Sequence, residues 1–416
     1  MENNGELNAL QYIYQSGEEP IILLTFQNAR LRLASLTIFR GLLADPVIAS
    51  FSGMLEVEER SLASRVGAYA QFASDLLATG SNWSDYLLNK VLTDENPYVL
   101  RLAARKDISE SLSATLAQEL ASLELLSQMT PQQAQNEIGS DLPLAIWENS
   151  ILDFAGAYHA RMARMHEVGY GIFSHHHMFL LGEEGLLPVR HPDKVDLSGF
   201  TGYERERALV EANTKALLEG RPAANVLLYG DSGTGKSTCV KALANTYKDR
   251  GLRLVELRKD QLNLIPGLID RLSANPLKFI LFIDDLSFTQ NSDLFSSLKA
   301  ILEGSISAKT PNMVIYATSN RRHLIRERFS ERDGDDVHLR DTLEELSSLS
   351  DRFGLTVTFS RPDKELYLRI AERYCRKYGM EFTEATRTQA EAYAISRGGR
   401  SARAARQFTE GLAATR

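Results

Sequence analysis

Gly230-Asp231-Ser232-Gly233-Thr234-Gly235-Lys236-Ser237 follows the apolar run Asn225-Val226-Leu227-Leu228-Tyr229 and leads into a stretch of helical character from Thr238 to Tyr247. The spacing is G-x-x-x-x-G-K-S, and a chance match in a chain this long is on the order of 1–2%. A glycine-rich turn between a buried strand and a helix N-terminus directs backbone N–H groups at an anion, so the stretch predicts a phosphate-binding loop. Gly230, Gly233 and Gly235 allow backbone where a Cβ would collide with phosphate. Lys236 is expected to reach the β- and γ-phosphates of a nucleoside triphosphate, with the Ser237 hydroxyl on Mg2+. Asp231, Ser232 and Thr234 fill the loop, and Thr238 completes the expected nucleotide-binding set.

The 416 residues allow two or three domains with a sizeable core. Hydrophobic content of 44% and charged content of 24% fit a globular protein. A net charge of -7 provides no global positive field for nucleic acid or anionic lipid. No basic stretch followed by an apolar run opens the sequence, and no run approaches the ~18 apolar residues of a membrane span. Cys239 and Cys375 make no disulfide framework and fit a reducing compartment, so the expected location is cytoplasmic.

Residues 1–170 read as a mainly helical N-terminal domain. Asp107, with Glu110 three residues on and leucines at 112, 116, 120 and 123, predicts a capped amphipathic helix ending before Pro131. Residues 171–196, rich in glycine, proline and histidine, read as an irregular connector. Over 197–360 β-like runs alternate with helical ones, which predicts an α/β domain: a parallel sheet flanked by helices. Residues 361–416 return to helices.

The run Lys278-Phe279-Ile280-Leu281-Phe282-Ile283 ends in Asp284-Asp285. A buried strand after a phosphate loop delivers a carboxylate to Mg2+, the role expected of Asp284. Asp285 is expected to act as general base toward the attacking water. A third strand, Met313 to Thr318, delivers Ser319 and Asn320; an uncharged amide there can bond the γ-phosphate or position the water. Arg321-Arg322-His323 follows, either as solvated charge or as a face toward a neighbouring subunit. Three adjacent histidines, His175-His176-His177, point in different directions on regular structure, so Mg2+ is the one metal expected.

The order of phosphate loop, acidic strand end, Thr318-Ser319-Asn320 and Leu349-Ser350-Asp351-Arg352-Phe353-Gly354 resembles an AAA+ P-loop ATPase over about residues 197–416. The phrases NVLLYGDSGTGKST (225–238), FIDDLSF (282–288), LEG (302–304), IYATSNRRHL (315–324), SLSDRFG (348–354) and RSARAARQF (400–408) are similar to a bacterial AAA+ family catalogued as a domain of unknown function. The resemblance implies ATP hydrolysis with Mg2+ and a C-terminal helical lid. It also implies an arginine finger at Arg352 acting on a neighbour's nucleotide in a homo-oligomer, and a nucleotide-sensing arginine at Arg403. Phe200-Thr201-Gly202-Tyr203 falls where such chains build part of the adenine pocket.

One departure is Asp285, where most AAA+ proteins carry Glu. The shorter acid implies slower hydrolysis. Three functions follow: an ATPase remodelling a macromolecule, with a protein partner expected; a slow nucleotide-gated switch acting through the N-terminal helices; or an ATP-dependent nucleic-acid loader. The acidic balance and the lack of a helix-turn-helix signature disfavour the third.

Overall fold

The computed structural model describes residues 24–56, 60–286, 298–299, 301–302, 310–320 and 352–415. Arg321-Arg322-His323 and Leu349-Ser350-Asp351 lie outside the described residues. The chain forms two compact units, Met1–Arg164 and Met165–Arg416.

The first unit carries helices Phe26–Ala34, Pro46–Met54, Leu62–Thr79, Trp83–Thr93, Pro97–Ala103, Glu110–Ser127, Pro131–Ile138 and Phe154–Ala163. Three of them start at proline, where the missing N–H costs no hydrogen bond. In each a capping side chain precedes the proline: Asp45 accepts from Val47 and Ile48 N–H, Asn96 from Val99 N–H, and Thr130 from Gln133 N–H. The helix expected from Asp107 starts instead at Glu110, capped by Ser109, whose hydroxyl accepts from Leu112 N–H. The backbone carbonyl of Asp107 accepts from Arg101 Nε and Nη2. The core is an aromatic cluster, with Trp83 4.6 Å from Phe51 and 5.2 Å from Phe72, and Trp147 5.0 Å from Phe72. Both indole N–H groups are satisfied, by the carbonyls of Leu126 and Met129.

The second unit is built on a seven-stranded sheet, order β2-β1-β4-β5-β6-β3-β7. The strands are β1 Met178–Leu181, β2 Leu186–Pro188, β3 Val226–Gly230, β4 Leu252–Leu257, β5 Lys278–Ile283, β6 Met313–Asn320 and β7 Leu355–Phe359. All pairings are parallel except β1 with β2. Both faces are buried, so the alternate side chains of β5 divide between two cores. Phe279, Leu281 and Ile283 pack with Ile265, Leu268 and Leu272 of the helix Ile265–Ser273. Ile280 and Phe282 pack with Cys239, Val240 and Leu243 of the helix Lys236–Tyr247. That double burial is why the strand reads as an unbroken apolar run.

Residues 178–188, expected within an irregular connector, form the β1–β2 hairpin that extends the sheet. Met178, Phe179 and Leu180 pair with Leu254, Val255 and Glu256 of β4. The buried Arg253 fastens the preceding segment, donating from Nε and Nη2 to Phe173 O and from Nη1 to Lys248 O and Leu252 O. The tail folds as helices Lys364–Lys377, Glu384–Ser396 and Ala402–Ala414 around Tyr367, Ile370, Ala390, Ala394, Ala405 and Phe408. Among the described residues no helix is long and apolar enough to cross a membrane.

One buried carboxylate organises the first unit. Glu119 Oε1 accepts from Thr37 N–H at 2.7 Å, and Oε2 accepts from Ile38 N–H at 3.1 Å and Phe39 N–H at 3.0 Å. Glu119→Gln turns an amide donor toward these donors and is expected to cost about 3 kcal/mol. Urea unfolding followed by tryptophan emission checks it, because Trp83 and Trp147 are the chain's two tryptophans and both lie in this unit.

Candidate functional site

Parallel pairing brings the C-terminal ends of β3, β5 and β6 to one edge of the sheet. Gly230, the last residue of β3, pairs with Asn320 on β6 and with Phe359 on β7. Its φ is 141°, and a Cβ there would stand 2.1 Å from Phe359 O, so glycine is required for the loop to leave the sheet. Gly235 has φ 99° and caps the helix Lys236–Tyr247; a Cβ would meet the Phe200 ring at 2.8 Å.

Lys236 is 5% exposed, and its Nζ donates to Gly230 O at 3.0 Å, Asp231 O at 2.7 Å and Asn320 Oδ1 at 2.9 Å. Burial lowers its pKa, while the carboxylates of Asp231, Asp284 and Asp285 pull the other way. Thr234 is fully buried, its hydroxyl donating to Asp231 O. Ser237 Oγ donates to Asp284 Oδ1 at 2.6 Å, so a hydroxyl and a carboxylate converge one residue beyond β5. These are hard oxygen donors of the kind Mg2+ takes. Among the described residues no group of three or more His, Cys, Asp or Glu gathers to hold a metal. Two protein oxygens beside a phosphate loop match Mg2+, which keeps waters and takes substrate phosphates as further ligands.

Asp285 stands in the left-handed region, φ 54°. Its N–H donates to Thr318 Oγ1 at 2.8 Å and to Asp284 Oδ1 at 3.1 Å; Thr318 Oγ1 in turn donates to Asp284 Oδ1 at 2.5 Å. Its carboxylate accepts from Asn320 Nδ2 at 2.8 Å, with Lys259 Nζ 4.0 Å away. Asn320 therefore bridges Lys236 and Asp285. Asp is among the residues that best tolerate this backbone region, which gives a local reason for the shorter acid.

The helical tail reaches the loop: Arg403 N–H donates to Gly233 O at 3.2 Å. Tyr203, also left-handed at φ 55°, donates from its hydroxyl to Ser360 O at 2.8 Å, and its ring lies 5.1 Å from Phe359. Lys236, Ser237, Asp284, Asp285 and Asn320 are thus gathered in one place, with Arg403 backbone at the loop. Arg352 is not among them. Leu355 pairs with Val226, four strand positions or about 13 Å from Gly230, and Arg352 precedes Leu355 at that far end. Sequence reasoning passed over Lys259 and Arg361, and it placed Thr318 in a motif without giving its hydroxyl a role. Thr318 was legible in principle, since pairing Ile283 with Ala317 sets it opposite Asp284.

The strand order, the phosphate loop after β3 and the helical tail packed on it constitute an AAA+-type P-loop fold. Among solved structures, the RuvB Holliday junction branch migration motor of Thermotoga maritima is similar at 17% identity and a TM-score of 0.37, over 52% of this chain and 63% of that one. A variant of the same motor is similar at 18% identity and a TM-score of 0.36, over 53% and 64%. The chain thus spans less than two thirds of the length of these structures. Among curated proteins none matches. Residues 173–416 match the family described as Protein of unknown function (DUF815), more than half of the sequence, and the chain belongs to that family.

Proposed function

We propose that this protein binds ATP with Mg2+ and hydrolyses it, coupling turnover to remodelling of a macromolecular partner, a protein in the first instance. The observation that carries the reading is the buried ammonium of Lys236, held by two loop carbonyls and Asn320 beside the Ser237–Asp284 contact. In this reading the N–H groups of residues 230–238 and Lys236 bind the phosphates, and Ser237 and Asp284 hold Mg2+, which neutralises charge on the leaving phosphates. Asp285 takes the proton of the attacking water, and Asn320 orients that water and the γ-phosphate. Arg403, on a segment bonded to Gly233, serves as the lid's sensor. The proposed setting is the cytoplasm.

Arg352 is assigned to a neighbouring subunit's site. The register of β7 supports a trans role, because it sets Arg352 at the sheet end remote from its own loop. A second reading, the slow nucleotide-gated switch, is favoured by the engagement of Asp285. Its Oδ1 accepts from Asn320 Nδ2 and its Oδ2 lies 4.0 Å from Lys259 Nζ, contacts that hold the carboxylate in place and compete with water for it.

Lys236→Ala is expected to abolish or severely weaken ATP binding measured by calorimetry, whereas Asp284→Asn keeps some affinity and loses Mg2+-dependent turnover. Wild-type affinity in the Lys236 variant would sink the reading. Asp285→Glu places a longer side chain on left-handed backbone and is expected to cost about 1 kcal/mol more stability than Asp285→Asn, read as the difference in thermal midpoints. Arg352→Ala should bind ATP nearly normally yet hydrolyse it poorly. Mixing it with Lys236→Ala protein should restore partial activity; a flat curve, once subunit exchange is established by fluorescence transfer, removes the trans role.

A further inference from the structure

The phosphate loop carries an acid of its own. Asp231 is the second loop residue, and its backbone carbonyl receives both Lys236 Nζ and Thr234 Oγ1. A carboxylate at that position opposes a polyanion by Coulomb repulsion, undiminished by the backbone hydrogen bonds that the loop offers. Arg361 answers it. This residue leaves β7 two positions after Phe359, and its Nε lies 3.9 Å from Asp231 Oδ1. The same guanidinium faces the lid: Nη1 is 3.5 Å from Gly398 O, and a Cβ on Gly399 would stand 2.8 Å from Nη1 and 3.3 Å from Cζ. Beside it, Ser401 and Arg403 close on Gly233, where a Cβ would be 3.3 Å from Ser401 Oγ and 3.1 Å from Arg403 Cβ. The turn 398–403 therefore touches the loop at Gly233 and touches Arg361, which in turn touches Asp231.

We propose that Arg361 is a positioning residue of the nucleotide site, neutralising the loop's own Asp231 carboxylate while seating the Gly398–Arg403 turn of the lid on the phosphate loop. The inference rests on the reading that this loop binds ATP. Arg361 acts through Asp231 and the lid turn. It has two effects: it lowers the repulsion met by the triphosphate, and it ties lid position to the electrostatic state of the loop. Because the side chain is half exposed, its contribution is that of a partly screened pair.

The experiment measures MgATP affinity of the full chain by calorimetry for wild type, Arg361→Ala, Asp231→Asn and the double variant, with thermal melts to establish folding. Arg361→Ala should weaken affinity about two- to fivefold. Asp231→Asn should bind at least as tightly as wild type, and adding it to Arg361→Ala should restore most of the lost affinity. Hydrogen exchange of amides 398–403 should rise in Arg361→Ala, a readout separate from the nucleotide. Arg361→Lys keeps the charge and should retain affinity if the alanine variant folds poorly. Unchanged affinity in folded Arg361→Ala, or a loss that Asp231→Asn fails to relieve, overturns the proposal and leaves Arg361 as packing alone. Failure of the wild type to bind ATP is a different result, and it removes the functional reading itself.

Discussion

The pairing of Gly230 with Asn320 on one side and Phe359 on the other is the constraint on which the site depends. It aligns the ends of β3, β6 and β7, so that the chain leaving β3 turns directly over the amide of Asn320. The carbonyl of Phe359 fills the space of a side chain at 230, and the loop must begin with glycine. Lys236, six residues on, folds back to the carbonyl of Gly230 and is buried there. A slip of one residue in the β3–β6 pairing would put Asn320 on the opposite face and leave the ammonium without its third partner.

Charge is arranged around that buried ammonium with a local excess of carboxylate. Asp231, Asp284 and Asp285 all act on Lys236. The excess is partly tied down: Asp284 receives Ser237 and Thr318, Asp285 receives Asn320, and Asp231 faces Arg361. Such a site disfavours a bare polyanion, whereas an accompanying divalent cation would offset the repulsion.

The first unit is built on other terms. Its stability is local, from an aromatic cluster whose two indoles are hydrogen-bonded and from a carboxylate that closes three consecutive N–H groups. All of it lies outside the family match, which begins at residue 173. Its aromatic residues pack on one another within the unit.

The sequence by itself determined the elements whose chemistry is contiguous. β5 runs over the residues expected, since a doubly buried strand is an unbroken apolar run whose ends are marked by charge. The loop was legible because its glycines, lysine and serine fall within eight contiguous residues, 230–237. Tertiary structure decided what depends on strands meeting. Four apolar residues at 178–181 carry too little pattern to declare a strand until β4 supplies their hydrogen bonds. The helix starts at Glu110 because Ser109, two residues after Asp107, turns its hydroxyl to the free Leu112 N–H, a choice between neighbouring polar residues that spacing leaves open. Thr318, Lys259 and Arg361 are distant in sequence from the carboxylates they approach, and only the parallel register and the folding of the tail onto Gly233 bring them there. Backbone conformation, likewise, bears on why residue 285 is the shorter acid: its N–H is held in left-handed backbone by Asp284 Oδ1 beside it and by Thr318 Oγ1 on β6, a strand partner that no local pattern records.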